Sequence, residues 1–209
     1  MATVNPPYLS LLKQKMSRDP YAVYITLATV ENGPRGGVVP RARTVVFEGF
    51  LRDEADRLGI ALKCSADSNK ISKRVSDEVE ICWWMDAART QFRFRGQMVF
   101  DTRVDSANRV QTWRHLSAGD RAQFFYPPDK IATSHSDEPF VEQSARFQAS
   151  AGDVADNFVL GLLVPLEVDV LDLNDCSRKY WRRESVDKHD WSETSGFAPP
   201  VVSFDALVE

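Results

Sequence analysis

The chain is poor in the residues that bind metals or form disulfides. Its three cysteines, Cys64, Cys82 and Cys176, are odd in number, widely spaced and free of CxxC pairing. They read as free, mostly buried thiols in a reducing compartment. The three histidines, His115, His135 and His189, have no ligand spacing with those cysteines, so no metal site is expected. Long apolar runs are also missing. The longest, Phe158 to Val170, is broken by Pro165, Glu167 and Asp169 and is too short to span a bilayer. The opening Met1-Ala-Thr-Val-Asn-Pro-Pro lacks the basic start and apolar core of a secretory leader, so a cytoplasmic protein with no membrane partner is expected.

An excess of basic charge is absent too. The formal charge of −4 argues against a dedicated nucleic-acid binder, which shows a basic face or stripe. No G-x-G-x-x-G follows a strand-like run, which disfavours a dinucleotide-binding Rossmann fold, and no G-x-x-x-x-G-K-[ST] marks a nucleoside-triphosphate loop. There is no internal repeat and no low-complexity segment, and no serine or cysteine nucleophile motif accompanies His115.

What remains is an ordinary globular composition. With 209 residues and 43% hydrophobic content, the chain reads as one domain over 1–209, long enough to bury a core without metals or disulfides. Pro6-Pro7 leads into a short amphipathic helix over Tyr8 to Met16. Tyr21 to Val30 is β-branched and aromatic and reads as a strand; Glu31-Asn32-Gly33 turns the chain toward a second strand over Arg41 to Phe50. Ile60 to Cys64 is a third. Ser68 is placed to cap a helix whose apolar positions Ile71, Val75 and Val79 recur every four residues. Glu80 to Met85 returns as a strand. Gln91 opens another, which alternates Phe92 and Phe94 against Arg93 and Arg95. A helix over Asp105 to Leu116 turns Val110, Trp113 and Leu116 inward. Tyr126 to Asp156 is polar and proline-dotted and reads as a long loop; a long strand from Asn157 to Leu173, the Arg178 to Arg183 segment and a terminal tail follow. Six or seven strands joined mostly by hairpins, with few helices, predict a mainly β protein: an antiparallel barrel with flanking helices.

Three constellations carry chemistry. Ser65 to Lys70 enters a helix, where free N–H groups and a partial positive charge suit a phosphate, and Lys70 adds a full charge; the plain alternative is a capped surface helix with a solvated lysine. Arg41 and Arg43 stand two apart on one strand face and repel unless an anion or a carboxylate lies between them; an internal salt bridge is the plain alternative. Gln91 is either an ordinary edge-strand glutamine or an amide that reads a heterocycle edge. Trp83-Trp84 and Trp181 read as core or dimer-interface aromatics, and Arg178-Lys179 with Arg182-Arg183 as a solvated strand face or a phosphate contact.

Five short motifs in order complete the sequence evidence: Arg43-Thr-Val-Val-Phe, Lys63-Cys-Ser-Ala-Asp-Ser-Asn-Lys70, Arg89-Thr-Gln-Phe-Arg-Phe-Arg-Gly96, Asp120-Arg-Ala-Gln123 and Val168-Asp-Val-Leu-Asp-Leu173. On these the chain, from about Pro6 to Pro200, resembles the pyridoxamine 5'-phosphate oxidase-like family of FMN-binding split barrels, especially its branch in cyanobacteria, plants and fungi. The resemblance implies a split β-barrel with FMN as cofactor. It implies FMN-binding roles for Arg43, Thr44, Val45 and Val46, for Lys63, Cys64 and Ser65, for Ser68, Asn69 and Lys70, and for Gln91 at the flavin. Arg182 and Arg178 match the late arginines near flavin and substrate. It also implies a homodimer whose partner completes each pocket, and a flavin-dependent oxidoreductase acting on a small molecule. A non-catalytic flavin or tetrapyrrole carrier is the rival reading. Three departures bear on the substrate: Asn69 stands where the family has an arginine, Glu48 where the oxidases have a substrate-phosphate lysine, and the tyrosine/arginine/serine set is not clear around Trp113 to Gln123.

Overall fold

Alternation builds the barrel one strand at a time. In the computed structural model, which describes residues 4–125 and 153–197, β1 (Tyr24–Asn32) alternates strictly between exposed and buried positions. Ile25, Leu27, Thr29 and Glu31 therefore share its inner face. β4 (Glu78–Met85) and β5 (Thr90–Asp101) repeat the pattern, sending Val79, Ile81, Trp83, Met85, Phe92, Phe94 and Met98 inward. Phe92 and Phe94 stack, and the Trp83 indole donates to the Ala22 carbonyl at 2.6 Å.

The remaining strands are β2 (Val38–Arg52), β3 (Leu58–Ser65), β6 (Phe158–Asp172), β7 (Ser177–Arg182) and β8 (Ser192–Phe197). All pairings are antiparallel, in the order β3-β2-β1-β4-β5-β6-β7-β8. A further pairing of β3 with β6 closes the first six into a ring, and β7 and β8 extend the sheet outside it. The ring is incomplete along one seam. β2 pairs with β1 over Val38 to Val46 but with β3 only from Phe47 to Arg52, while β3 continues along β6 as far as Ser65. The break falls at a bulge between Phe47 and Gly49, where Gly49 takes a φ of 130°, a conformation that glycine alone adopts readily.

Helices close the ends. α1 (Leu9–Arg18) buries Leu9 and Leu12, and the preceding Tyr8 packs edge-on against Phe94 and Trp191. Lys15 of α1 is ion-paired to Asp172 at the end of β6. α3 (Ala107–His115) buries Trp113 as expected, followed by Leu116 just past its end, with Val110 half-buried; the Ser106 hydroxyl caps it by accepting from the Arg109 N–H. A short α4 (Ala118–Ala122) follows, unforeseen in the sequence.

Two expectations are corrected. The helix after Ser68, α2 (Asn69–Ser72), is a single turn, and the Ser68 side chain does not cap it. The chain leaves helical geometry because Lys73 and Val75 bond to β1 instead: Asn32 N–H donates to the Lys73 carbonyl at 2.8 Å and Val75 N–H to the Val30 carbonyl at 3.0 Å. Val75 is consequently exposed, and Val79 belongs to β4. The expected terminal tail contains a real strand, β8, which pairs with β7 over all six residues. Most of the expected loop from Tyr126 to Asp156 lies outside the described residues.

Gly96 lies at a second bulge, opposite Pro165, and a Cβ there would come within 2.1 Å of the Val164 carbonyl oxygen. Gly96→Ala is expected to destabilise the fold by about 1–3 kcal/mol, read as a lowered denaturation midpoint; an unchanged midpoint would contradict this packing.

Candidate functional site

The seam between β2 and β3 brings the first two constellations together. Arg43 sits opposite Leu27 on β1 and so shares the inner face. The Phe47 N–H donates to the Val23 carbonyl, which sets the phase of the β1–β2 ladder. By alternation, the backbone groups of Thr44 and Val46 point away from β1, toward an edge that no described strand pairs. Across the seam lie Cys64, Ser65 and α2. Because Lys73 to Val75 run back onto the end of β1, Lys70 is delivered beside the same opening.

The charges of Arg43 and Lys70 are both felt at Cys64. Burial pushes the Cys64 thiol up to about 11, and the opposing influences are the charges of Lys70 and Arg43. Their partners differ. Arg43 is ion-paired to the buried Glu31 and donates to the Thr29 hydroxyl at 2.8 Å; Glu31 also accepts from Thr29 at 3.0 Å. An internal salt bridge, expected from the sequence with an aspartate, thus exists with a glutamate instead. Lys70 has no ion pair among the described residues, and its ammonium donates to the Ser68 hydroxyl at 2.9 Å. Asn69 is exposed, and Arg41 lies further out along β2, also exposed.

Lys63 is placed differently. It alternates with Cys64 and points to the outer side, where it meets Glu48 at 2.5 Å and Asp120 of α4 at 2.9 Å. Glu48 occupies the bulge that opens the seam. Burial alone would lower the Lys63 pKa, but bonds to Glu48 and Asp120 outweigh it and hold the ammonium above its ordinary value. Burial likewise would raise Asp120, while Ser117 and Lys63 hold it below the usual carboxylate range.

The third constellation lies on the opposite face. Gln91 alternates with the buried Phe92 and points outward, between Trp84 on β4 and Leu171 on β6. Arg178 continues that row on β7. Next to it, Asp169 accepts from Arg178 at 2.8 and 2.7 Å and is ion-paired to Arg93; Glu167 binds Arg95 and lies 3.4 Å from Arg182. Burial would raise Asp169, but Arg178 and Arg93 keep its carboxyl low, and Arg95 chiefly does the same for Glu167. Within one chain, Gln91, Arg178 and Arg182 therefore do not share the face of Arg43. Tyr24, Val30, Trp84 and Val99 leave apolar surface exposed on their strands.

Thr29 and Glu31 escaped the sequence reading. Glu31, expected in the turn after Val30, is instead the last inward residue of β1, where a buried carboxylate needs a partner. A separate cleft of about 620 Å³, lined by Arg52, Arg57, Arg103, Asn108 and Leu162 among others, contains none of the seam residues. Among the described residues no cluster of histidine, cysteine and carboxylate side chains could hold a metal ion, and no helix is long and apolar enough to cross a membrane.

The seam's composition fits a phosphorylated flat ligand: an ammonium with no ion pair among the described residues, an anchored guanidinium and free backbone edges adjoin one opening. Residues 5–102 match the family model described as pyridoxamine 5'-phosphate oxidase, FMN-binding domain. Over that stretch the chain is similar to the pyridoxamine 5'-phosphate oxidase-like proteins, and its fold is that of their split barrels. A pyridoxamine 5'-phosphate oxidase-related, FMN binding protein from Nostoc punctiforme PCC 73102 is 28% identical, with 93% of this chain and 98% of that one covered and a TM-score of 0.72. PhzG from Burkholderia lata 383, solved in complex with tetrahydrophenazine-1-carboxylic acid, is 19% identical over 93% of this chain and 98% of that one, with a TM-score of 0.61, a likeness of fold alone. No curated protein matches the chain.

Asp101, Asp120, Glu167, Asp169 and Asp172 all titrate below their ordinary values in the folded chain. The unfolded chain therefore binds more protons in that window, so their stabilisation is complete above about pH 4 and is lost as pH falls through the depressed folded values. Denaturant unfolding is expected to show a steep loss of stability below about pH 4; a flat profile down to pH 2–3 would contradict these pairings.

Proposed function

We propose that the chain is an FMN-dependent oxidoreductase acting on a small molecule, working as a homodimer with each FMN at the seam between two copies. The observation that carries this reading is the opening between β2 and β3, flanked by Arg43 and by Lys70, which has no ion pair among the described residues. In this assignment Arg43 and Lys70 take the phosphate, with Ser65, Ser68 and Asn69 at the helix entry. Thr44 and Val46 offer backbone groups along the ribityl chain and ring, with Val45 packing between them. Gln91 of a second copy reads the flavin edge, and Arg182 and Arg178 of that copy border the substrate.

Strand parity supports a second copy. Gln91, Arg178 and Arg182 lie on the outer face and Arg43 on the inner, so one chain cannot present all of them to one ligand. Exposed Trp84 and Tyr24 on the outer face supply apolar area for such a contact. When bound, FMN supplies hydride or electron transfer, and the protein's part is binding, orientation and electrostatic tuning.

Pyridoxamine phosphate is a poor fit as substrate. Lys63, a cation on the outer side of the seam, is closed off by Glu48 and Asp120, so a second phosphate would meet a cluster of net charge −1 from two carboxylates and one ammonium. This same lock favours, as second reading, a carrier that binds flavin without turning over a vitamin B6 substrate. Stopped-flow reduction of the bound flavin by candidate reductants separates the two, since the oxidoreductase reading requires reduction faster than the free-flavin rate.

The phosphate assignment has its own test. Lys70→Ala is expected to weaken FMN roughly tenfold or more while leaving riboflavin unchanged, measured by quenching of flavin fluorescence. Unchanged FMN affinity would contradict it.

A further inference from the structure

Arg43 is ion-paired, whereas Lys70 has no ion pair among the described residues. Arg43 is bound to Glu31, whose side chain is 4% exposed and is fixed further by the Thr29 hydroxyl. The two cations and one carboxylate leave a local net charge of +1, from two positive groups less one negative. A flavin phosphate carries about −1.5 to −2 at neutral pH, so its charge is only partly matched there.

Building on the proposed FMN site, we propose that Glu31 is the specificity-determining residue of the phosphate subsite, a buried counter-charge that limits how strongly the phosphate is held. Two of its properties support this. Burial leaves its carboxylate little water to screen it, so its charge acts at nearly full strength on whatever else Arg43 contacts. It also occupies one edge of the Arg43 guanidinium, while Thr29 takes another donor, so a phosphate shares the remaining donors rather than gaining the full bidentate fork. The flavin is consequently exchangeable rather than permanently seated, and Lys70 contributes more to phosphate binding than Arg43 does.

A purely structural role for Glu31, orienting Arg43, makes the opposite prediction, because losing the carboxylate would then weaken FMN. The test is titration of the flavin-free full chain with FMN and with riboflavin, for wild type, Glu31→Gln, Arg43→Met and the double variant. Glu31→Gln is expected to tighten FMN about tenfold relative to riboflavin. The double variant is expected to bind FMN more tightly than Arg43→Met alone. That second comparison removes both members of the ion pair and so carries the test even where Glu31→Gln does not fold. An unchanged FMN-to-riboflavin ratio, or weaker FMN binding in Glu31→Gln, overturns the inference. Wild-type protein that binds neither flavin overturns instead the FMN site on which it rests.

Discussion

The parting of β2 from β3 governs the rest of the molecule. A closed six-stranded ring of this size fills with its own side chains and leaves no room for a ligand. The bulge at Phe47 and Gly49 lets β2 follow β1 while β3 follows β6, and the gap that results is bordered by two sets of polar groups. Glu48 sits in the bulge and ties it to α4 through Lys63 and Asp120, so the ion cluster that closes off a second phosphate also holds the opening in shape. The core on the inner side, with Trp83, Phe92, Phe94 and Leu62 fully buried, supplies the rigid wall against which the gap is held.

Charge is distributed unevenly around that gap. On one side the Arg43 guanidinium is paired with the buried Glu31 carboxylate, while the Lys70 ammonium donates to the Ser68 hydroxyl. On the outer side, Arg93, Arg95, Arg178 and Arg182 are spread over Asp169 and Glu167 in a cross-strand ladder. The ladder is largely self-compensated, and its arginines are exposed enough that each pair contributes only modestly to stability. Its value in the proposed dimer is directional: a face of paired charges with exposed Trp84 and Tyr24 can receive a second copy without leaving an unpaired charge behind.

Much of the barrel was legible in the sequence because its strands alternate. β5 showed its inner face directly, β1 was legible as a strand from its β-branched and aromatic content, and the order of short motifs pointed to the split-barrel family before any register was known. The length of α2 was not legible. Ile71, Val75 and Val79 keep helical spacing, but long-range bonds from β1 to Lys73 and Val75 end the helix after one turn, and local periodicity carries no trace of that competition. β8 was missed because Ser192 to Phe197 has no alternating apolar face; its pairing with β7 is backbone-driven. The placement of Arg43 and Gln91 on opposite faces needed the register of four strands, since parity within each strand says nothing of parity between them. Glu31 was not legible, because Asn32-Gly33 beside it reads as a turn that ends the strand at Val30, whereas β1 runs on to Asn32.

The central claim is that one pocket takes Lys70 from one copy and Gln91 from another. Mixing Lys70→Ala chains with Gln91→Leu chains, each weakened in FMN binding, and allowing subunits to exchange measures this most directly. A pocket shared between copies creates one intact site in every mixed dimer, and tight FMN binding returns on mixing. If no tight binding returns although mixed dimers form, the pocket lies within a single chain and the account is wrong.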